Sequence, residues 1–498
     1  MPETPAFDPA ALQRVLDGRY ADIRDLTRKH LVEHADLLTA QVEQDLPTFR
    51  TSVMDAIREM AATGMLGMGF PQAYGGGGDI GASVAGFETM AMGDLSALVK
   101  VGVQYGLFGG AILHLGTQTH HERYLADLIA GDLLGCFAMT EYGHGSNVQH
   151  LGTVAVYDHE SGDFVLTTPD EMSRKDYIGG AAKDATLAAV FAQLEIDGRS
   201  EGVHCFVVPI RDEDGDPLPG VRTGDDGHKM GLKGVDNGRL WFDGVRVPRE
   251  NLLNRYADVT EDGEYVSSIE NPSRRFFTTL GTLVQGRVCV GGGGINAAKV
   301  ALVIATKYAL LRRQFGEPDN DEELLLDYGL HQRRLFPRIA RTYALHFAQE
   351  VLANELHEIF SAAGGQEEAP DDSGEAEKRR RALESRAAGT KALGTWLATD
   401  VIQESREACG GAGYLAENRF AALKADTDVF TTFEGDNHVL LQLVAKGLLT
   451  DYGSSFEDLD QLGMVRFIAD LAVETVIERT AAHKLLERVR DLIPGLDG

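Results

Sequence analysis

Hydrophobic positions along the chain change period twice. Up to about residue 134 they recur every three or four residues, as in TSVMDAIREMAATGML, which predicts amphipathic helices. The stretch FPQAYGGGGDIG interrupts them. Its glycines 75–78 make either a plain turn or a loop where backbone comes close to a neighbour or ligand. From about 135 to 275 the period drops to two. TVAVYDHESGDFVLTT alternates on both sides of an acidic, glycine-containing turn, as a hairpin does, and AAVFAQLEI, HCFVVPI and GRLWFDGVRVP add short β-rich runs. Short strands at such spacing predict a small barrel or sandwich.

From 276 onward longer helices return. LFPRIARTYALHFAQEVLANELHEIF sets Ile339, Tyr343, Phe347, Val351 and Ile359 four or eight residues apart, an apolar stripe suited to a bundle. SAAGGQEEAPDDSGEAEKRRR (361–381) reads as a polar surface loop, and 451–498 as two more amphipathic helices. The fold class expected is α+β and multidomain. It comprises an N-terminal helical domain (1–134), a middle β-barrel or sandwich (135–275), a C-terminal helical bundle (276–450) and a helical tail (451–498).

The composition of the 498 residues, 43% hydrophobic and 25% charged, is that of an ordinary folded chain. Lys and Arg number 47 against 76 Asp and Glu, a formal net charge of −29. So acidic a surface repels nucleic acid and anionic membranes, and an anionic ligand has to be met by a local basic pocket or a helix N-terminus. The four cysteines stand far apart with no metal-ligand spacing, which fits a reducing compartment and no metal. The first residues lack a signal-peptide layout, no 18-residue apolar run stands out, and GLDG is not the peroxisomal tripeptide. A cytoplasmic protein without membrane insertion is the expectation.

Four glycine-rich points stand out: MTEYGHGSN (139–147), DYIGGAAKD (176–184), QGRVCVGGGG (285–294) and CGGAGYL (409–415). None forms a dinucleotide fingerprint or a phosphate loop, and neither a GxSxG elbow nor an HExxH helix occurs. TTFEGDNHVLL (431–441) places one carboxylate, Glu434, at a loop-to-helix junction. By itself that is where an acidic residue favours the positive end of a helix.

Taken in order, these stretches resemble the acyl-CoA dehydrogenases, and more closely their acyl-CoA oxidase branch, over roughly residues 65–450. The resemblance implies FAD as cofactor and Glu434 as catalytic base. It assigns Thr140, Ser146, Tyr177, Gly179 and Gly180 to flavin-facing loops, with Asp436 and Asn437 beside the base. Arg312 and Phe315 of YALLRRQFG, with Gly410 and Gly411, match segments that reach a neighbouring subunit's FAD, implying a homodimer or homotetramer. Ser146, Arg287 and Gly435 fall at substrate positions; for Arg287 simple packing or a surface ion pair remains an equal reading. His144 is read as shaping its turn. His438, where the family carries a small or hydroxyl residue, is a departure that could lower the pKa of Glu434.

The implied chemistry is coherent. The thioester carbonyl acidifies the α-carbon, so a desolvated carboxylate can take the α-proton. The β-hydrogen leaves with two electrons, which only a flavin could accept. The backbone N–H of the glutamate would stabilise the developing enolate. The substrate is then an acyl-CoA or a carrier-bound acyl thioester, and the final acceptor O2 or an electron-transfer flavoprotein. Ile178-Gly179-Gly180 followed by Lys183 favours O2, since a missing threonine at 179 would leave room for it. A flavin monooxygenase of the same fold, or a non-catalytic partner subunit, would have no use for Glu434.

Overall fold

The computed structural model describes residues 8–317, 321–361 and 374–457. The chain opens with helices α1 (Pro9–Asp17), α2 (Ala21–Glu33), α3 (Leu37–Glu43), α4 (Leu46–Ala62), α5 (Ile80–Met90), α6 (Leu95–Val101), α7 (Gly109–Leu115) and α8 (Gln118–Ala130). Aspartates start four of them. The carboxylates of Asp8, Asp45, Asp79 and Asp94 accept from the amides of Ala10, Thr48, Ala82 and Ala97, satisfying donors that a helix start leaves open. Between α6 and α7 the chain winds as a π-helix, Gly102–Phe108, a local widening. In the 75–78 loop a Cβ on Gly76 would stand 2.1 Å from the Phe70 carbonyl oxygen, so close approach of backbone requires the glycine.

Eleven strands follow: β1 (Gly135–Ala138), β2 (Val154–Asp158), β3 (Asp163–Thr167), β4 (Lys175–Ile178), β5 (Leu187–Ile196), β6 (Arg199–Pro209), β7 (Val221–Asp225), β8 (Gly238–Phe242), β9 (Val245–Val247), β10 (Ala257–Val259) and β11 (Tyr265–Ser267). β5 pairs in parallel with β1 along its first half and with β2 along its second, and antiparallel with β6. The β2–β3 hairpin closes with Asp158 opposite Asp163, at the acidic turn seen in the sequence. A separate three-stranded sheet runs β4-β8-β7. Phe164, Val190 and Phe206 of the large sheet and Leu240 and Phe242 of the small one share a single apolar core.

The last described region holds α9 (Pro272–Thr279), α10 (Thr282–Leu311), α11 (Gly329–Ser361), α12 (Gly374–Ala408), α13 (Phe420–Val429) and α14 (Asn437–Glu457). One compact unit ends at Leu441, and a second begins at Gln442, described only as the helical residues through Glu457.

Several sequence expectations need correction here. The run QGRVCVGGGG, which by its glycines would punctuate the chain, lies inside α10. A Cβ on Gly291 would stand 3.2 Å from the Cα of Lys391, so the glycines let α10 and α12 approach closely. On α11, Tyr343, Phe347 and Val351 are 40%, 41% and 58% exposed, so the middle of the expected stripe points outward, while Ile339 and Ile359 at its ends pack against the core. The buried face carries Thr342, His346 and Gln349 alongside Leu335, Leu352 and Leu356. Gln349 donates to Glu88 and to the Val288 carbonyl, and His346 bonds the Leu16 carbonyl. Partnered polar groups can be buried, which apolar spacing alone does not reveal. Residues 374–381 are helical, not loop. The rest of that loop, and the expected tail helices beyond 457, lie outside the described residues. Two stretches, Leu95–Leu115 and Val284–Leu311, are long and apolar enough to cross a membrane by length and composition, although the sequence reading finds no such run. With 72% and 78% of their apolar windows buried, they serve as core helices.

Candidate active site

Glu434 lies in the turn between α13 and α14, not on a helix. Its φ of 55° is left-handed, a strained conformation for a residue with a side chain, and Gly435 follows at 98°. The turn is pinned from both sides. Asn437 N–H donates to the Thr431 carbonyl, and the Asp436 carboxylate accepts from the His438 amide, capping α14. From α12 the buried Lys391 ammonium donates to the Gly435 carbonyl at 2.7 Å and to Asn437 Oδ1 at 3.0 Å. Arg287 of α10 donates from Nε to the Glu434 carbonyl at 3.4 Å.

The carboxylate itself is enclosed, while the residue keeps an edge open to a cavity of about 1170 Å³. Its Oε2 is buried and has no hydrogen-bond partner among the described residues. Gly286 makes room for it: a Cβ there would stand 2.7 Å from Oε2. Burial raises the Glu434 pKa to about 7, and the cations of Arg287 and Lys391 hold it from going higher. Burial likewise lowers the Lys391 ammonium to about 8, opposed by the nearby carboxylates. A carboxylate so placed can exchange a proton near neutral pH.

The cavity gathers some of the sequence candidates and not others. Thr140, Ser146, Tyr177, Gly179, Arg287, Glu434, Gly435 and Asp436 line it. Tyr177 is 61% exposed, with φ 64°, and its carbonyl accepts from Asn237 Nδ2. Gly180 turns away from the cavity: a Cβ there would face Ala185 and Cys136. Asn437 is turned inward, donating to Thr395 and accepting from Lys391. Arg312, Phe315, Gly410 and Gly411 are exposed and form no part of this wall.

Two local expectations change. His438 does not face Glu434; it is exposed, 3.6 Å from Asp436 and edge-on to Trp396 at 5.3 Å. Because Glu434 precedes α14, helical spacing does not bring the two together. The room expected at Gly179 is already filled, since a Cβ there would stand 2.9 Å from Val103 Cγ2 and 3.4 Å from Val235 Cγ1. His144 bonds Glu141, whose carboxylate also holds the amides of Gly152 and Thr153 and the buried Lys175 ammonium. Residues the sequence reading missed are Gly286, Lys391 and Lys229. The signal for Lys391 was a lone lysine among small residues in GTKALG. Lys229, in the cavity wall, donates to Asn237 Oδ1 at 2.6 Å, and burial lowers it to about 8.

Three family descriptions match successive parts of the chain: "Acyl-CoA dehydrogenase, N-terminal domain" at 20–132, "Acyl-CoA dehydrogenase, middle domain" at 136–245, and "Acyl-CoA oxidase, C-alpha1 domain" at 280–449. The chain is 48% identical over 368 residues to peroxisomal acyl-coenzyme A oxidase 3 of Arabidopsis thaliana, covering 74% of this chain and 52% of that protein. It is 39% identical over 365 residues to human peroxisomal acyl-coenzyme A oxidase 3, covering 73% and 51%. The structure of acyl-CoA oxidase 1 from Yarrowia lipolytica superposes with a TM-score of 0.80 at 33% identity, covering 89% of this chain and 64% of that one. The chain thus spans about half the length of the curated relatives it matches. Relatives named peroxisomal overturn the cytoplasmic expectation. The four cysteines are free and buried, which does not say in which compartment the protein works.

Proposed function

Because the chain belongs to the acyl-CoA dehydrogenase and acyl-CoA oxidase family, we propose that it desaturates an acyl-CoA between its α and β carbons, using FAD and passing the electrons to O2. The observation that carries this reading is the enclosed, unpartnered Oε2 of Glu434 beside the cavity. A carboxylate with a pKa of about 7 is a base at neutral pH, and Oε2 has no protein donor to compete with the α-proton.

The wall suits FAD in its chemistry. The hydroxyls of Thr140 and Ser146, the Tyr177 ring and the Lys229 ammonium offer donors and a flat surface, and at Gly145 a Cβ would meet open space. When bound, FAD supplies the two-electron acceptor that no side chain provides. The protein's own share is proton handling and alignment. Glu434 takes the α-proton, and its N–H, which no described residue accepts, is free to meet the thioester oxygen. Lys391 and Arg287 hold the strained turn in place through the Gly435 and Glu434 carbonyls. Exposed Arg312, Phe315, Gly410 and Gly411 are proposed to meet the FAD of a second copy in a homodimer or homotetramer.

O2 as acceptor rests on relatives named oxidases rather than on space at Gly179. The test is to supply the purified, FAD-loaded protein with acyl-CoA in air. One O2 consumed and one H2O2 formed per enoyl-CoA supports the proposal. Reduced flavin that persists in air until an electron-transfer flavoprotein is added moves the assignment to a dehydrogenase. No flavin reduction by any acyl-CoA or carrier-bound thioester overturns it.

A further inference from the structure

We infer that a small apolar pocket behind the flavin-facing loop is the path by which O2 reaches the flavin, with Val103 as the gate at its inner end. The inference rests on the oxidase reading above. That reading gives the large cavity to FAD and the thioester, so O2 needs an approach that neither blocks. The space expected for it at Gly179 is filled by Val103 and Val235. Behind Val103, however, lies a second pocket of about 20 Å³. Met54, Ile57 and Ala61 of α4, with Leu134 and Ala185, form most of its wall. The exposed Arg58 lines it too, so the pocket reaches toward the surface beside α4.

The flavin-facing loop gives one glycine to each space. Gly179 lines the large cavity, while Gly180, at φ 87°, lines the small pocket next to Ala185. Val103 and Tyr105 belong to both walls, so these two side chains stand between pocket and cavity. A Cβ on Gly179 would stand 2.9 Å from Val103 Cγ2, which puts the valine directly behind the loop. The pocket also suits an apolar guest better than water, because its polar side chains are already engaged. Lys100 donates to Asp184 and, at 2.5 Å, to Asp236. Gln104 donates to the Leu133 carbonyl and accepts from the Gly135 amide. The Tyr105 hydroxyl is the one side-chain group of this wall buried without a partner among the described residues. A buried water needs about two to four polar partners, and a single hydroxyl does not supply them. O2 asks only for space, and the pocket exceeds the roughly 10–15 Å³ that one small molecule requires. Each O2 that arrives takes two electrons from the reduced flavin and two protons, and leaves as H2O2.

The test fills the pocket from α4, away from the flavin-facing loop. Ile57→Phe does so fully and Ala61→Val partly; the second carries the test if the first does not load FAD. Each FAD-loaded protein is reduced anaerobically with acyl-CoA and then mixed with O2 at several concentrations. The second-order rate constant for O2 should fall at least fivefold in Ile57→Phe and by less in Ala61→Val. Anaerobic reduction by acyl-CoA should stay within twofold of wild type in both. Val103→Ala should raise the O2 constant instead. Crystals of the FAD-loaded protein under xenon pressure locate the pocket independently of turnover. Xenon should sit against Val103 and Ala185 in wild type and be missing in Ile57→Phe. An unchanged O2 constant in the folded, flavin-loaded variants overturns the inference and leaves the oxidase reading standing. So does an equal loss in reduction and reoxidation, or a wild-type pocket that takes up no xenon or holds an ordered water. Reduced wild-type flavin that does not react with O2 overturns both.

Discussion

Gly286 and the carboxylate of Glu434 occupy adjoining space so tightly that a single methyl group on residue 286 would stand 2.7 Å from Oε2. α10 therefore contributes an absence: a notch in which the carboxylate lies without a hydrogen-bond partner. Gly286→Ala is expected to push the carboxylate aside and slow flavin reduction by acyl-CoA at least tenfold, since small misplacements of a reacting group are costly. FAD content and melting temperature should stay near wild type, because alanine suits a helix better than glycine. Stopped-flow reduction at wild-type speed would remove the notch from the account.

The pH dependence follows from the raised Glu434 pKa of about 7. The carboxylate form is the base, so the reduction rate should rise about tenfold per pH unit below 7 and level off above it. The stability effect has the opposite slope. Folded protein holds this proton more tightly than the unfolded chain, whose carboxyl titrates near its ordinary 4.5. The stabilisation is therefore complete below pH 4.5 and is lost as pH climbs through 7. Glu434→Gln should melt above wild type at pH 8, with the gap closing toward pH 4.5. A gap that does not vary with pH would contradict the burial of this group.

Lys391→Met tests the support under the turn. Losing the ammonium leaves the Gly435 carbonyl and Asn437 Oδ1 without their donor, at a cost of about 1–3 kcal/mol for each buried group. It also removes one of the two cations that hold the Glu434 pKa down. The pH profile of reduction should shift upward and the maximum rate should fall. Lowered stability with an unmoved profile would make Lys391 a packing residue only.

Part of this arrangement is legible in the sequence, and part is not. The β2–β3 turn is local: it is decided by a few neighbouring residues, so alternation reveals it. What escapes is decided at a distance. Tyr343, Phe347 and Val351 have the spacing of a core stripe, yet partners on α1, α5 and α10 draw polar residues of α11 inward. QGRVCVGGGG looks like punctuation because nothing in a sequence shows that α12 will press against those glycines. His438 is near Glu434 in sequence and turned from it in space, whereas Lys391 and Gly286 are remote in sequence and beside it. The motif identified the carboxylate; its environment required three helices brought together.

Gly179 bears on the acceptor. Gly179→Thr alone should disturb the loop and weaken FAD retention, because its Cβ would press on Val103. The double variant Gly179→Thr/Val103→Ala should restore FAD binding, and the threonine would then stand at the cavity wall. Measured in air, H2O2 production by the double variant should slow while anaerobic reduction persists. Full FAD retention in the single variant would show that Val103 yields easily.

Anaerobic mixing of FAD-loaded Glu434→Gln with acyl-CoA tests the central claim most directly. Glutamine keeps the shape of the side chain but cannot accept the α-proton. The account expects flavin content and acyl-CoA binding close to wild type, with bleaching of the flavin slowed by at least a thousandfold. Bleaching at a rate comparable to wild type would show that another group takes the proton, and Glu434 would not be the base.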